Sequence, residues 1–152
     1  MMIARTRVIV ESPFKGDVEI NTAYLHALMR FCFARGEAPF ASHELYTRCL
    51  DDSVPEERAA GIQAGLLWGE GAVKSVVGVD LGISEGMRLG IQAAREAQRE
   101  IEFVSLGSWR REASPLAILR SLQGVRSLRD TLTIQVANSE PAQGFNPVAQ
   151  VP

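Results

Sequence analysis

The sequence is poor in cysteine and histidine and has no strong excess of either charge. Two cysteines and two histidines occur among 152 residues, so neither a disulfide framework nor a histidine-based metal centre is expected. The formal net charge is -2, whereas a domain that binds nucleic acid usually has a clustered basic surface. We therefore predict no metal, no cofactor and no polymeric nucleic acid as a partner.

Long apolar runs are also missing. No segment approaches the roughly 20 apolar residues that span a bilayer, and the first ten residues lack the apolar core and cleavage site of a signal peptide. We expect a cytoplasmic protein without a membrane partner. The composition, 46% hydrophobic and 22% charged, is that of an ordinary globular domain. Cys32 lies between Phe31 and Phe33 and is predicted to be a buried core residue.

Strand and helix patterns alternate over the first two thirds of the chain. Short β-branched or apolar runs predict strands at residues 6–11, 38–42, 73–79 and 101–104. Apolar residues at helical spacing predict helices at about 17–35, 55–71 and 84–98. Gly36 is expected to follow the first helix as its C-terminal cap, and Ser53 to cap the second. The alternation predicts an α/β fold, a parallel sheet with helices on both faces.

The composition changes after Gly107. Ser114 followed by Pro115 predicts a short helix through about residue 123. Residues 131–137 alternate apolar and polar side chains, which predicts either an edge strand or a strand added to a neighbouring subunit. The proline-containing residues 138–152 are expected to form an arm or a loose tail. We predict a domain at 1–107, a C-terminal helix–strand extension at 108–152, and a homo-oligomer built through that extension.

Polar loops follow three of the predicted strands. Ligands of open parallel sheets bind outside the carboxyl ends of the strands, and here those ends carry residues 12–17, 42–46 and 80–87. Ser84 and Gly86 begin the third long helix, where free backbone N–H groups and the helix dipole suit a phosphate or a ribose oxygen. Ser84 could equally serve only as a helix cap.

Individual side chains in these loops are candidates for ligand contacts. Asp80 directly follows the strongest predicted strand and could accept hydrogen bonds from a heterocycle. Tyr46 offers a ring and a hydroxyl group, and His43 could either contact a ligand or be structural. Asp17 could cap the first helix or face the pocket. The charges of residues 51–58 are interpreted as a solvated helix start rather than a metal site.

The three loops, taken in order, carry a resemblance. The segments concerned are Ser12-Pro13-Phe14-Lys15-Gly16-Asp17 with Asn21, Ala38-Pro39-Phe40-Ala41-Ser42-His43 with Tyr46, and Asp80 with Ser84-Glu85-Gly86-Met87. Together they resemble the nucleoside 2-deoxyribosyltransferase-like superfamily, in particular its small branch found in many phages and actinobacteria. The resemblance covers about residues 6–106.

This resemblance implies a three-layer flavodoxin-like or Rossmann-like fold, commonly oligomeric, that binds a nucleoside- or nucleotide-like small molecule. Residues 12–16 would line the sugar or phosphate side, Asp80 would contact the heterocycle, and Ser84 with Gly86 would hold the sugar or phosphate. The full set of candidate ligand contacts is Ser12, Pro13, Phe14, Lys15, Gly16, Asp17, His43, Tyr46, Asp80, Ser84, Gly86 and Met87.

Position 90 departs from the family pattern. In the transferases and related hydrolases, a glutamate six residues after the position of Ser84 attacks the anomeric carbon, but this chain has Gly90 there. Glycosidic cleavage of that kind needs a carboxylate close to the anomeric carbon, which glycine does not supply. Glu85 and Asp80 are the candidate catalytic replacements, Asp80 as a general acid at the leaving nitrogen.

Three functions remain open at this stage, and the sequence does not decide whether the protein is an enzyme. The first is a binding protein that sequesters or senses a nucleotide-derived metabolite or signal, for example a phage sponge that acts in counter-defence. The second is an N-glycosidic-bond hydrolase or deoxyribosyltransferase. The third is an interaction role in which Trp109 and the strand at 131–137 build an oligomer around a vestigial pocket.

Overall fold

The computed structural model describes residues 5–109, 120 and 122–135. The strands within these residues are β1 (Thr6–Glu11), β2 (Glu37–Phe40), β3 (Lys74–Gly78), β4 (Glu100–Leu106) and β5 (Thr131–Gln135). The α-helices are α1 (Val18–Ala34), α2 (Ser42–Tyr46), α3 (Pro55–Gly69) and α4 (Glu85–Glu96), and a 3-10 turn, Gly107–Trp109, follows β4. The strands form one parallel sheet in the order β2-β1-β3-β4-β5, which is the flavodoxin-like order.

Helices cover both faces of the sheet because successive side chains of each strand point in opposite directions. Val8 and Val10 of β1 pack with Tyr24 and Leu28 of α1 in one core cluster. On the other face, α4 packs against β3 and β4, and α3 lies over Ile9. The predicted three-layer α/β fold is confirmed.

The ends of the long helices follow local chemistry. The Asp17 carboxylate accepts a hydrogen bond from the N–H of Ile20 at 3.1 Å, so of its two predicted alternatives, helix cap or pocket contact, the cap is the one observed. Gly36 has a φ of +74° just past α1, a conformation that favours glycine. The prediction for Ser53 was wrong: Val54 is the N-cap of α3, and the Ser53 hydroxyl donates to Asp51 instead.

Two short elements differ from the predictions. β2 is shorter than predicted and begins at Glu37. Among the described strands it pairs only with β1, and an edge strand tolerates Pro39 because one side needs no N–H donor. The five-residue helix α2 was not predicted, since five residues are too few to show a helical period.

The C-terminal strand belongs to the same sheet. β5 pairs in parallel with β4 of its own chain, so of the two predicted alternatives the edge strand is the one observed. The fifth strand of the sheet therefore comes from the predicted extension, residues 108–152. Residues 136–152 and most of the helix predicted after Ser114 lie outside the described residues.

A buried ionic cluster joins four strands near their amino ends. Arg35 donates hydrogen bonds to Glu37 and to Glu102, and Lys74 lies 2.5 Å from Glu37 and 2.9 Å from Glu102. The Thr133 hydroxyl of β5 donates to Glu102 at 2.6 Å. Two cations thus neutralise two carboxylates, as buried charges require.

Candidate functional site

A cavity of about 190 Å³ opens at the carboxyl ends of the strands. It lies where β1 and β3 are neighbours and the chain connections leave in opposite directions, the usual ligand position in this topology. Its walls are the loop after β1, helix α2, the start of α3 and the start of α4. The predicted site residues that line it are Ser12, Phe14, Lys15, His43, Tyr46, Ser84, Glu85, Gly86 and Met87.

The loop after β1 is held by Asn21 of α1. Its side-chain amide donates hydrogen bonds to the backbone carbonyls of Phe14 and Lys15, both at 2.9 Å. Asn21 is buried, and these two bonds fix the loop against the first turn of α1. Pro13, Gly16 and Asp17 shape this loop but are not among the cavity-lining residues.

Ser12 and His43 form a hydrogen-bonded pair in the cavity wall. The Ser12 Oγ and His43 Nε2 atoms are 2.9 Å apart, and Ser12 is only 5% exposed. Burial lowers the pKa of His43 to about 4, against a weaker opposing effect of Glu44. The imidazole is therefore uncharged at neutral pH, and it presents a polar, planar group to the cavity.

A second group of charged residues lies beside the start of α4. The Arg58 guanidinium donates to both Asp52 oxygens, at 3.0 and 2.9 Å, and Lys15 Nζ is 3.7 Å from Asp52. A Cβ atom added at Gly86 would lie 3.8 Å from Arg58 Nη2, so the guanidinium is close to the first turn of α4. Ser84 caps this helix by accepting from the Met87 N–H, as predicted.

Sequence reasoning missed the contribution of α3. Arg58, Gly61 and Ile62 line the cavity, although this segment was interpreted as a solvated helix start. The close packing of α3 on α2 explains their position, because a Cβ atom at Gly65 would lie 2.6 Å from Ser42 Cβ. A glycine inside an otherwise helical pattern was the signal in the sequence that another element packs closely against the helix.

Sequence reasoning also missed Glu11, the last residue of β1. It lines the main cavity and a smaller one of about 60 Å³ behind it, which Gly90 and Arg99 also line. Burial raises the pKa of Glu11 to about 8, and the nearby Arg99 opposes this only in part. The carboxyl group is therefore protonated at neutral pH. The signal in the sequence was an ionisable residue at the end of a mostly apolar strand, a position that favours a role in a functional site.

Asp80 is not brought to this cavity. Its Oδ2 accepts hydrogen bonds from the Tyr24 hydroxyl at 2.7 Å and the Leu106 N–H at 2.8 Å, and its Oδ1 accepts from the Ser105 hydroxyl at 2.7 Å. These bonds tie the end of β3 to β4 and α1. The Asp80 carboxylate thus holds the ends of β3, β4 and α1 together. Asp80 is not among the residues that line the cavity, and its contact with a heterocycle stays a prediction.

The residues that the structure describes contain no group of three or more histidine, cysteine, aspartate or glutamate side chains arranged to hold a metal ion. No helix in the described part of the chain combines the length and apolar character needed to cross a bilayer.

Fold and site together define a Rossmann-like α/β protein with a small cavity at the switch point of its parallel sheet. The chain belongs to the family described as Domain of unknown function (DUF7768), whose model matches residues 6–104. A search of curated proteins gives no match.

The solved structures that are similar to this chain include two enzymes of nucleoside and nucleotide chemistry. One is a 2-deoxyribosyltransferase from Bacillus psychrosaccharolyticus, with 15% identity, a TM-score of 0.56, and coverage of 76% of this chain and 82% of that one. The other is the CMP N-glycosidase BcmB of Clostridium botulinum, with 14% identity, a TM-score of 0.46, and coverage of 88% and 91%. The first confirms the predicted deoxyribosyltransferase-like fold.

Proposed function

We propose that the cavity binds a nucleoside or a nucleoside monophosphate. The observation that carries this proposal is the meeting of the strand-end loops in one cavity that combines flat side chains with cations. Phe14, His43 and Tyr46 offer planar surfaces to a base. Lys15 and Arg58, beside the start of α4, offer positive charge to a phosphate or polar partners to a sugar.

The size of the cavity supports a mononucleoside. Pockets for drug-sized ligands usually measure about 300–1,000 Å³, whereas this one measures about 190 Å³. The space suits one sugar with one base better than it suits a dinucleotide.

The charge of the lining limits the number of phosphates. With Glu11 and His43 uncharged at neutral pH, the carboxylates of Asp52, Glu57 and Glu85 face only the cations of Lys15 and Arg58. A triphosphate would bring several negative charges to a lining that is not positive overall. We therefore propose a neutral nucleoside or a monophosphate as the ligand class.

Calorimetric titration with the natural ribo- and deoxyribonucleosides and their 5′-monophosphates, di- and triphosphates tests the proposal. We expect saturable binding of at least one nucleoside or monophosphate, and weaker binding of the matching triphosphate. Arg58→Met should weaken monophosphate binding about tenfold, the typical value of a charge-assisted hydrogen bond. Arg88→Met, an exposed arginine on α4 outside the cavity lining, is the matched control. No saturable binding by any compound of the panel contradicts the proposal.

A second candidate function is cleavage or transfer at the N-glycosidic bond, and the carboxyl of Glu11 in the cavity favours it. Binding without release of free base would instead support sequestration or sensing of the ligand, for example by a phage protein that removes a nucleotide signal of its host. Incubation of the bound compound with purified protein, followed by chromatography for free nucleobase, separates the two candidates.

A further inference from the structure

The carboxyl group of Glu11 fills the space that a side chain at position 90 would occupy. A Cβ atom built on Gly90 would lie 2.5 Å from Cδ of Glu11 and still closer to Oε1. Real Cβ atoms do not approach other atoms so closely. Gly90 is buried in α4, so β1 and α4 meet at this point, and only the absence of a side chain on α4 leaves room for the acid on β1.

The surroundings of Glu11 leave its carboxyl group available to a ligand. Among the described residues, none donates a hydrogen bond to it, and no cation lies within ion-pair distance. No buried side-chain oxygen of the described residues lacks a hydrogen-bond partner, so the Glu11 oxygens reach the open space of the cavities that the residue lines. A structural carboxyl would be expected to use its oxygens, as Asp80 and Glu102 do.

We propose that Glu11 is the catalytic acid that cleaves the N-glycosidic bond of the bound nucleoside, and that Gly90 is glycine because this acid needs its space. The proposal rests on the proposed function, since it needs a nucleoside in the cavity.

The reaction balances with one carboxyl group and one water molecule. The protonated Glu11 gives its proton to the base as the bond between the anomeric carbon and the base nitrogen breaks, and the electron pair of that bond goes to the base. The carboxylate left behind faces the cationic sugar and takes a proton from water, while the water oxygen bonds to the anomeric carbon. The products are free base and free sugar or sugar phosphate, and Glu11 is protonated again.

The other titratable groups near the cavity do not offer the same chemistry. Arg99, behind Glu11, is a cation and lies outside the main cavity lining. The pKa of His43 is about 4, so its ring is neutral at pH 7. A neutral imidazole lacks the acidic proton that an imidazolium ion could donate. Glu85 lines the cavity mouth but is exposed to solvent.

Release of free base by the full-length protein, measured by chromatography with the nucleoside and monophosphate panel, tests the proposal. Glu11→Gln should reduce turnover about 100-fold or more, the usual contribution of an acid catalyst, with binding by calorimetry retained. Glu100→Gln, an exposed glutamate at the amino end of β4, should leave turnover unchanged. Turnover that survives Glu11→Gln but is lost in Glu85→Gln overturns the proposal.

An exchanged pair of residues provides a second test. In Glu11→Ala combined with Gly90→Glu, a carboxyl group reaches the same space from α4. This double variant should turn over at least tenfold faster than Glu11→Ala alone. A double variant that folds and binds the nucleoside, yet remains as slow as Glu11→Ala, overturns the equivalence of the two positions.

The pH profile gives a readout that a merely structural role would not produce. Turnover should be highest below pH 8 and fall as Glu11 loses its proton, whereas the pKa of His43, about 4, lies far below this range. Saturable binding with no base release from wild type overturns the role of Glu11 but leaves the proposed function intact. Absence of binding refutes both.

Discussion

A protonated carboxyl group at the end of a central strand changes how the protein responds to pH. The pKa of Glu11 rises from an ordinary 4.5 to about 8 because of burial, with Arg99 in partial opposition. Between these values the folded protein holds a proton that the unfolded chain releases. The free energy of unfolding therefore falls as pH rises from about 4.5 to 8, and the loss is complete above 8.

Glu11→Gln should remove this loss. At pH 4.5 the variant and the wild type are expected to have similar stability, since both are uncharged at this position. At pH 8 the variant should be more stable, by up to several kcal/mol, since each pKa unit corresponds to about 1.4 kcal/mol. Urea unfolding at both pH values measures the difference. Glu100→Gln is the control, and stability curves of wild type and Glu11→Gln that stay parallel would contradict the expectation.

Two glycines of α4 offer a matched pair of substitutions. An alanine in the middle of a helix usually adds about 0.5–1 kcal/mol over glycine. Gly86→Ala lies in the first turn of α4 and should show part of this gain, because its new Cβ meets nothing closer than 3.8 Å. Gly90→Ala should lose the gain and cost about 1–3 kcal/mol, since its Cβ collides with the Glu11 carboxyl. Thermal unfolding distinguishes the two, and equal shifts would refute the close approach of Glu11.

At the scale of elements, the ionic cluster near the amino ends of the strands links β2, β3, β4 and β5 through ion pairs and hydrogen bonds. Burial by itself would raise the pKa of Glu102, but hydrogen bonds from Arg35, Thr133 and Lys74 outweigh burial and lower it to about 2. The stabilisation from Glu102 is present above its ordinary pKa of 4.5 and is lost as pH falls towards 2.

Glu102→Gln should destabilise the protein strongly at neutral pH. The change leaves Arg35 and Lys74 with less buried negative charge, and breaking a buried ion pair typically costs about 3–5 kcal/mol. The difference from wild type should shrink near pH 2. Urea unfolding at pH 7 and pH 2.5 measures it. Glu100→Gln, two residues earlier on the same strand but exposed, should change stability little.

Local pattern predicted the long elements well, because their signals lie within a few residues. β1, β3 and β4 are short apolar runs. The residues that mark helix ends lie next to their helices: Asp17 and Ser84 stand before the first turn of α1 and α4, and Gly36 follows the last turn of α1. Helix α2 and the N-cap Val54 could not be predicted, since five residues show no period and a valine carries no capping group.

The site was only partly predictable for a related reason. The loops after β1 and β3 could be placed at one edge from the order of strands and helices alone. The partners of Asp80 could not, because Tyr24 lies 56 positions away in sequence, and hydrogen bonding across such a separation depends on tertiary packing. Glu11 and Arg58 could not be placed for the same kind of reason, because their positions in the cavity depend on how α3 and α4 lie over one face of the sheet.

At the scale of the whole molecule, the sheet extends into the C-terminal third of the chain. β5 covers the edge of β4, and Leu122 and Val125 are buried in the core cluster beneath α4. The predicted homo-oligomer, which was assigned to the same third of the chain, stays a prediction.

Two truncated chains test the contribution of β5. A chain ending after Gln135 keeps β5 and serves as the reference. A chain ending after Gly107 should be destabilised and prone to aggregate, because it exposes the hydrogen-bonding edge of β4 and loses Leu122 and Val125. Circular dichroism melts and size-exclusion chromatography measure both. Equal stability of the two truncated chains would contradict a structural role of β5.

The central position of β1 has a mechanical consequence for the acid at its end. β1 is hydrogen-bonded to β2 on one side and to β3 on the other, so its backbone is anchored along both margins. The position of the Glu11 carboxyl is therefore set by the sheet and does not change when a helix moves. If the first turn of α4 shifts to admit a ligand, the Glu11 carboxyl keeps its position while the entrance of the cavity changes shape.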